Sequence, residues 1–156
     1  MKRRRHATLG EIAKDLAQGK VTARQLAEES LARIADPAGE GARAFIHVDT
    51  SKVMHEADAQ DALRRAGRAP SPFAGIPFAI KDLFDVAGEV TAAGSALLAG
   101  EAPAETDSDA VAAMKRAGFV GLGRTNMTEF AYSGVGLNPH HGTPLSVYGR
   151  TERRIP

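Results

Sequence analysis

A nearly continuous apolar run from Ile76 to Phe84 limits the possible folds more than any other part of the sequence. Only Lys81 and Asp82 interrupt it, close to its end. A run without alternation is typical of a strand that is buried on both faces, as in a parallel sheet covered by helices. Asp107 to Ala117 has helical spacing, and Phe119 to Gly123 reads as a second buried strand. This strand, helix, strand order predicts an α/β fold in which helices cover a mixed, largely parallel sheet.

The remainder of the chain predicts further helices around this sheet. Capping-box patterns begin at Thr8 and Thr22, and they predict one helix ending near Gln18 and a second that reaches Ile34. We also expect a strand over 44–48, a helix over 50–66, a short helix over 126–132, and loop from residue 133 onward. Residues 1–156 fit a single domain.

Charge and composition argue against several classes of function. The 20 basic and 19 acidic side chains give a net charge of +1, which provides no overall field for nucleic acid or an anionic membrane. The basic run from Lys2 to Arg5 is expected to belong to a flexible tail over 1–7. No segment has the roughly 18 apolar residues of a membrane span. The absence of cysteine excludes disulfides and zinc-thiolate sites and favours the cytoplasm.

Lys81 is the side chain whose chemistry depends most on its surroundings. It follows five residues that favour burial, so it lies either in water at a strand end or inside the protein. Lysine is seldom buried without a partner, which favours the solvated strand end. If it were buried, desolvation would lower its pKa and make it a general base at neutral pH. The residues alone leave both alternatives open.

Other polar and glycine-rich features indicate structural roles. Three serines lie between Lys81 and Pro144, and none is on a nucleophile elbow, so we expect turn and cap residues: Ser95, Ser108 and Ser133. His140 and His141 are adjacent and diverge, which makes a shared metal ion an unfavourable interpretation. The glycines between 118 and 123 lie inside a strand and lack a phosphate-loop lysine, so they give little support for nucleotide binding.

Three blocks of sequence occur in the order found in one enzyme family. They are GIPFAIKDLFDVAGEVTAAGS (75–95), GRTNMTEFA (123–131) and NPHHGTP (138–144). Together they resemble the amidase-signature hydrolases, and the likeness extends over roughly residues 8–144. The resemblance implies hydrolysis of an amide C–N bond by a Ser, cis-Ser, Lys triad through an acyl-enzyme. Lys81 would be the catalytic lysine, and Met127 would either line the acyl pocket or fill the core. The resemblance also implies that the Gly94-Ser95 turn braces the lysine strand through its backbone and hydroxyl.

The resemblance also implies an incomplete protein. The family's two serines and most of its sheet would lie beyond Pro156, so 1–156 would be the N-terminal part of one amidase-signature domain. We therefore expect this chain to be inactive alone, with a small-molecule amide substrate and no metal or other cofactor. A hydrolase and the amide-cleaving component of a tRNA-dependent amidotransferase, which works with partner proteins, remain equally compatible with these residues.

An alternative from a different class is a non-catalytic α/β binding module, or a degenerate amidase remnant, in which Lys81 is structural. This alternative predicts a self-sufficient fold with a completed C-terminal loop. The amidase interpretation instead predicts an unpaired sheet edge and exposed apolar surface, and hence self-association.

Overall fold

The computed structural model describes residues 7–146, and its helices and strands follow the predicted order. The α-helices are α1 (Leu9–Ala17), α2 (Ala23–Ala35), the single turn α3 (Gly41–Ala44), α4 (Thr50–Arg65) and α5 (Asp109–Arg116). The strands are β1 (Phe45–His47), β2 (Pro77–Lys81) and β3 (Val120–Thr125), and a 3-10 turn covers Glu129–Ala131. The run from Lys2 to Arg5, predicted to be part of a flexible tail, and the segment 147–156 lie outside the described residues.

Both predicted capping boxes are confirmed. The side chains of Thr8 and Thr22 accept from the backbone N–H three residues later, and the side chains of Glu11 and Gln25 accept from the cap N–H groups. The start of α2 has a second cap from a distant part of the chain. The carboxylate of Asp61, which is buried in α4, accepts from the first two N–H groups of α2 at 2.8 and 3.0 Å. This long-range cap joins α2 to α4 and places a negative charge at the positive end of the α2 dipole.

A three-stranded mixed sheet lies at the centre of the described region, as predicted. Its order is β1-β3-β2, with β2 parallel and β1 antiparallel to β3. Helix α5 lies in the connection between the two parallel strands. Within residues 7–146, β2 is therefore an edge strand whose outer side has no partner strand.

The helices pack on the sheet through three apolar clusters. The largest joins α2 and α4 to β3, and it contains Ala23, Ala27, Val53, Ala57, Val120 and Leu122. A second joins α1 and α2 to the residue before β2, and it contains Ala13, Leu16, Val21, Leu26 and Ile76. The third lies between β2 and α5, and it contains Ile80, Val86 and Val111. Small residues in the first cluster allow α2 and α4 to approach each other closely.

The prediction of a strand from Ile76 to Phe84 with both faces buried is wrong in two respects. Strand β2 ends at Lys81, because the Phe84 N–H turns back to the Lys81 carbonyl at 3.0 Å. Ile80 is buried, whereas Ala79 and Lys81 are exposed. A continuous apolar run indicates that both faces of a strand are hydrophobic. It does not indicate whether other residues of the described part of the chain pack on both faces.

Smaller corrections concern the ends of two other elements. Ala44 belongs to the helical turn α3 and not to the strand predicted over 44–48. The helix predicted over 126–132 is reduced to one 3-10 turn. The Asn126 side chain accepts from the next N–H at 2.8 Å, and the Phe130 N–H donates to Ala93 of another segment at 2.9 Å. The Phe130 bond replaces the one to the Asn126 carbonyl that a helix would make, and the positive φ values of Phe130 and Ala131 interrupt helical geometry. None of the helices within 7–146 is long and apolar enough to cross a membrane.

Candidate active site

Lys81 lies at the carboxyl end of β2, where it pairs with Thr125 of β3. It is exposed, and its ammonium group makes no hydrogen bond or ion pair with the described part of the chain. The geometry therefore matches the solvated strand end, the alternative that the residue pattern favoured. In parallel sheets this end of the strands is where ligands commonly bind.

A β-bulge in β3 determines which side chains share a face with Lys81. From Phe78 to Ile80 the strand β2 advances two residues, while its partners advance three, from Gly121 to Arg124. The extra residue puts the Arg124 side chain on the face of Ile80, opposite to that of Lys81. Gly123 permits the bulge, because its φ is +144° and a Cβ there would lie 2.3 Å from the His47 carbonyl oxygen.

Asp82, the residue after Lys81, is fixed by bonds to its backbone and its carboxylate. Its N–H donates to the Thr125 carbonyl at 3.2 Å, and its carbonyl accepts from Ala93 at 2.9 Å. The carboxylate accepts from the Gly94 N–H at 2.9 Å and from the Arg124 Nε at 3.1 Å. With 1% exposure, Asp82 is nearly isolated from water. The position of the strand end is therefore set by two other segments of the chain, the end of β3 and the turn at Ala93 and Gly94.

Arg124 is almost as deeply buried as Asp82 and has a further contact. Its Nη2 donates to the Thr91 hydroxyl at 3.1 Å. Its Nη1 lies 3.9 Å from the Glu89 carboxylate and has no hydrogen-bond partner among residues 7–146. Burial of a guanidinium requires a compensating charge, and Asp82 provides it at hydrogen-bond distance.

The turn at Gly94 and Ser95 braces the lysine strand through its backbone, but not through the serine hydroxyl as predicted. The Gly94 N–H contacts Asp82, whereas the Ser95 hydroxyl donates to Glu129 at 2.6 Å. His140 lies 3.1 Å from the same Glu129 oxygen. The Ser95 hydrogen bond, together with the charge and hydrogen bond of His140, lowers the pKa of Glu129 against the opposing effect of its partial burial. The hydroxyl therefore joins the turn to the 3-10 segment.

Asn138 fastens the C-terminal loop to this turn. Its buried side-chain amide donates to the carbonyls of Gly94 and Met127, both at 2.7 Å, and its oxygen accepts from the N–H groups of His140 and His141. Met127 is itself buried, with its Cγ 3.0 Å from where a Cβ at Gly94 would lie. Packing against the turn agrees with the core role of Met127. Its role in an acyl pocket stays a prediction.

A cavity of about 420 Å³ opens beside the Asp82–Arg124 pair. Ile46, Val90 and Ala99 contribute apolar lining, and Glu89, Arg124 and His141 contribute polar groups. Lys81 is not part of its lining. Within the described residues, no cluster of three acidic or histidine side chains has the arrangement of a metal site.

Sequence reasoning identified Lys81 and Met127 but did not single out Asp82, Arg124, Glu129 or Asn138. All four missed residues lie in or next to the blocks that carried the family resemblance. A charged residue at the edge of an apolar strand was the available signal, since Asp82 directly follows β2, Arg124 lies one residue before the end of β3, and the two charges require each other once buried.

Comparison with known proteins agrees with this geometry. The sequence profile of the Amidase family matches residues 25–152. The AtzE component of 1-carboxybiuret hydrolase from Pseudomonas sp. (strain ADP) is 41% identical over 132 residues, covering 85% of this chain and 29% of the relative. The GatA-type component of the glutamyl-tRNA(Gln) amidotransferase from Streptomyces avermitilis is 41% identical over 135 residues, covering 86% of this chain and 26% of the relative.

Solved structures show the same pattern of partial coverage. The native peptide amidase from Stenotrophomonas maltophilia superposes with a TM-score of 0.78 at 31% identity, covering 90% of this chain and 30% of that one. A structure described as a vestigial protein complex that reveals the origins of an s-triazine catabolic enzyme gives 0.82 at 39% identity, with 89% and 30% coverage. The chain thus spans less than a third of the length of these relatives. It has the fold of the corresponding part of their structures, and it belongs to the amidase family.

Proposed function

We propose that this chain supplies the catalytic lysine of an enzyme that hydrolyses an amide C–N bond, and that Lys81 is this lysine. The observation that carries the proposal is the placement of Lys81 at the carboxyl end of a parallel strand, exposed and without an ion-pair partner among the described residues. A carboxylate partner stabilises the ammonium form of a lysine, so a lysine without one reaches the neutral form needed for a general base more readily than one held in an ion pair.

The proposed reaction is acyl transfer by a Ser, cis-Ser, Lys triad. Neutral Lys81 takes a proton through a bridging serine, a second serine attacks the amide carbonyl, and water later hydrolyses the acyl-enzyme. The three serines that follow Lys81 as far as residue 144 have other hydrogen-bond partners, which supports placing the triad serines elsewhere. Ser95 donates to Glu129, Ser108 donates to the Asp85 carbonyl, and the Ser133 oxygen accepts from the Val135 N–H.

We propose that both triad serines belong to polypeptide corresponding to the rest of the relatives' length, of which this chain spans 29% and 26% in two cases. Residues 1–156 alone would then lack a nucleophile and show no turnover. The substrate class is a small amide. The relatives include components of a carboxybiuret hydrolase and of glutamyl-tRNA(Gln) amidotransferases, and a cytoplasmic location fits the cysteine-free composition.

We also propose that the surface around Lys81 is covered in the active protein. Apolar side chains in the segments that follow β2 and β3 are exposed: Leu83, Phe84, Leu97, Phe130, Tyr132, Val135 and Leu137. Together with the unpaired outer side of β2, they favour association with further polypeptide or with a second copy of the chain. Size-exclusion chromatography of residues 1–156 should show self-association, and a stable monomer would contradict this proposal.

The decisive experiment measures ammonia release from a panel of simple primary amides. The assay compares the complete reading frame that contains these residues with residues 1–156 alone. In the complete protein, Lys81→Ala and Lys81→Arg should each lower kcat by about 10³-fold or more, because neither residue serves as a base at neutral pH. Lys20→Ala is the matched control, since Lys20 is an exposed lysine whose contact with Asp15 is 3.9 Å long.

Each result has a definite meaning for the proposal. Retained activity in Lys81→Ala would remove Lys81 from the reaction. Hydrolysis by residues 1–156 alone would show that the nucleophile lies within this chain. A complete protein that hydrolyses none of the amides would favour the non-catalytic interpretation.

A further inference from the structure

We propose that Asp82 and Arg124 form a positioning pair that fixes the direction in which Lys81 leaves the end of β2. The inference rests on the proposed catalytic role of Lys81 and adds two residues that do not themselves touch the reacting atoms. It follows from the strand register, from the bonds that converge on Asp82, and from the burial of both charges.

The strand register places Arg124, and with it the ion pair to Asp82, on the face of the sheet opposite to the Lys81 side chain. Ile80 pairs with Arg124 and Lys81 pairs with Thr125, so Arg124 and Lys81 occupy opposite faces at the same end of the sheet. Without the bulge at Gly123, a regular alternation in β3 would have turned Arg124 to the face of Lys81. The bulge therefore keeps the Arg124 guanidinium away from the face of Lys81. It directs this guanidinium to the carboxylate of Asp82, the residue that follows Lys81.

The bonds of Asp82 leave the strand end little freedom. On the N-terminal side of Asp82, its N–H holds the peptide group that it shares with Lys81 against Thr125 at 3.2 Å. On the other side, its carbonyl and its carboxylate bind two successive N–H groups of the turn, those of Ala93 and Gly94. Arg124 completes the arrangement, because it binds the carboxylate and also Thr91 at the start of the same turn.

The backbone of this turn is held in an unfavourable conformation, which indicates that the surrounding bonds determine it. Ala93 has a φ of +51°, a value that costs an L-residue free energy unless its surroundings impose it. The N–H of Ala93 binds Asp82, and its carbonyl accepts from Phe130, so both of its peptide groups are held. Strain of this kind commonly occurs at functional sites. Asp82 and Arg124 together hold the strained turn against the end of the lysine strand.

The test combines local amide exchange in the 156-residue chain with kinetics in the complete reading frame. Four variants perturb the arrangement to different degrees: Asp82→Asn, Arg124→Met, Arg124→Lys and the gentle Thr91→Val, which removes only the acceptor of Nη2. Arg24→Met is the matched control, because Arg24 forms an exposed pair with Asp58 at 2.7 Å.

If the pair positions Lys81, Asp82→Asn should raise exchange at the Ala93 and Gly94 N–H groups about 10-fold, with α4 amides unchanged. In the complete protein, kcat should fall roughly 100-fold at nearly constant KM, as expected when a reacting group is misplaced by about 1 Å. Arg124→Lys should recover part of the loss relative to Arg124→Met, and Thr91→Val should cause a smaller loss. Arg24→Met should change neither quantity.

Two results would overturn the inference. One is a uniform rise in exchange throughout the chain, which would mean that the pair supports only global stability. The other is a local rise in exchange with unchanged kcat, which would mean that Lys81 does not depend on the pair. A failure of the proposed function is distinguishable, because wild type would then be inactive while the exchange data still report the strand end.

Discussion

Replacement of Arg124 by methionine tests how strongly the fold depends on its buried ion pair. Methionine has a similar reach and no charge, so the change removes the bonds to Asp82 and Thr91, both 3.1 Å long. The Asp82 carboxylate, in a residue that is 1% exposed, would then retain the Gly94 N–H as its partner among residues 7–146. An uncompensated negative charge would remain in the interior.

The expected magnitude follows from this loss of compensation. Removing one partner of a buried pair costs about 3–5 kcal/mol, because the other charge stays desolvated. Domains are stable by about 5–15 kcal/mol, so Arg124→Met should remove a large part of the free energy of unfolding. The double variant Asp82→Asn/Arg124→Met removes both charges and keeps an acceptor for the Gly94 N–H. It should therefore be about 2 kcal/mol more stable than the sum of the single effects predicts.

Urea unfolding followed by far-ultraviolet circular dichroism gives these free energies for the 156-residue chain. Arg24→Met, which breaks the exposed pairs with Asp58 and Glu28, should lower the free energy of unfolding far less than Arg124→Met does. The reasoning would be refuted if Arg124→Met destabilised the chain no more than Arg24→Met. It would equally be refuted if the two single effects added without any coupling in the double variant.

Two further predictions concern residues that shape the sheet and its helices. Gly123→Ala should lower the free energy of unfolding by about 2 kcal/mol or more, because its φ is positive and its Cβ would collide with the His47 carbonyl. In the control Gly10→Ala, a Cβ in helix α1 meets nothing within 4 Å, and thermal unfolding should show a gain of up to about 1 kcal/mol. Asp61→Ala should cost about 1–2 kcal/mol through loss of the cap on α2, and Asp61→Asn should cost less, because the amide oxygen still accepts a hydrogen bond. Equal losses in the two Asp61 variants would contradict the capping argument.

The sequence was most informative where local interactions determine the structure. The capping boxes at Thr8 and Thr22 depend on residues three apart, and both were predicted correctly together with the helices that follow them. The parallel pairing of the two apolar strands was also predictable, because a helix between two apolar runs favours that connection. The three family blocks then predicted an amidase relative, as the comparisons show.

Long-range pairings could not be predicted from these patterns. The Asp61 carboxylate caps a helix that begins 38 residues earlier, and Asp82 meets Arg124 across 42 residues. Asn138 likewise binds the turn at Gly94 across 44 residues. In each case a polar side chain forms a hydrogen bond or ion pair with backbone or charged groups that have no partner nearby in the sequence. Its partner becomes identifiable only when the sheet register is known.

The bulge at Gly123 shows how a small backbone irregularity separates two cations that the sequence places on neighbouring strand ends. Lys81 is the last residue of β2 and Arg124 the last but one of β3, and regular alternation in β3 would direct both side chains to one face. On one face, the positive charges of Lys81 and Arg124 would each disfavour the charged form of the other. A carboxylate placed between the two side chains could form an ion pair with either of them. Because of the extra residue in β3, the cation that pairs with the Asp82 carboxylate is Arg124 and not Lys81. Lys81 therefore remains without an ion-pair partner among the described residues. The buried pair of Asp82 and Arg124, on the opposite face, fixes the peptide group that joins Lys81 to Asp82.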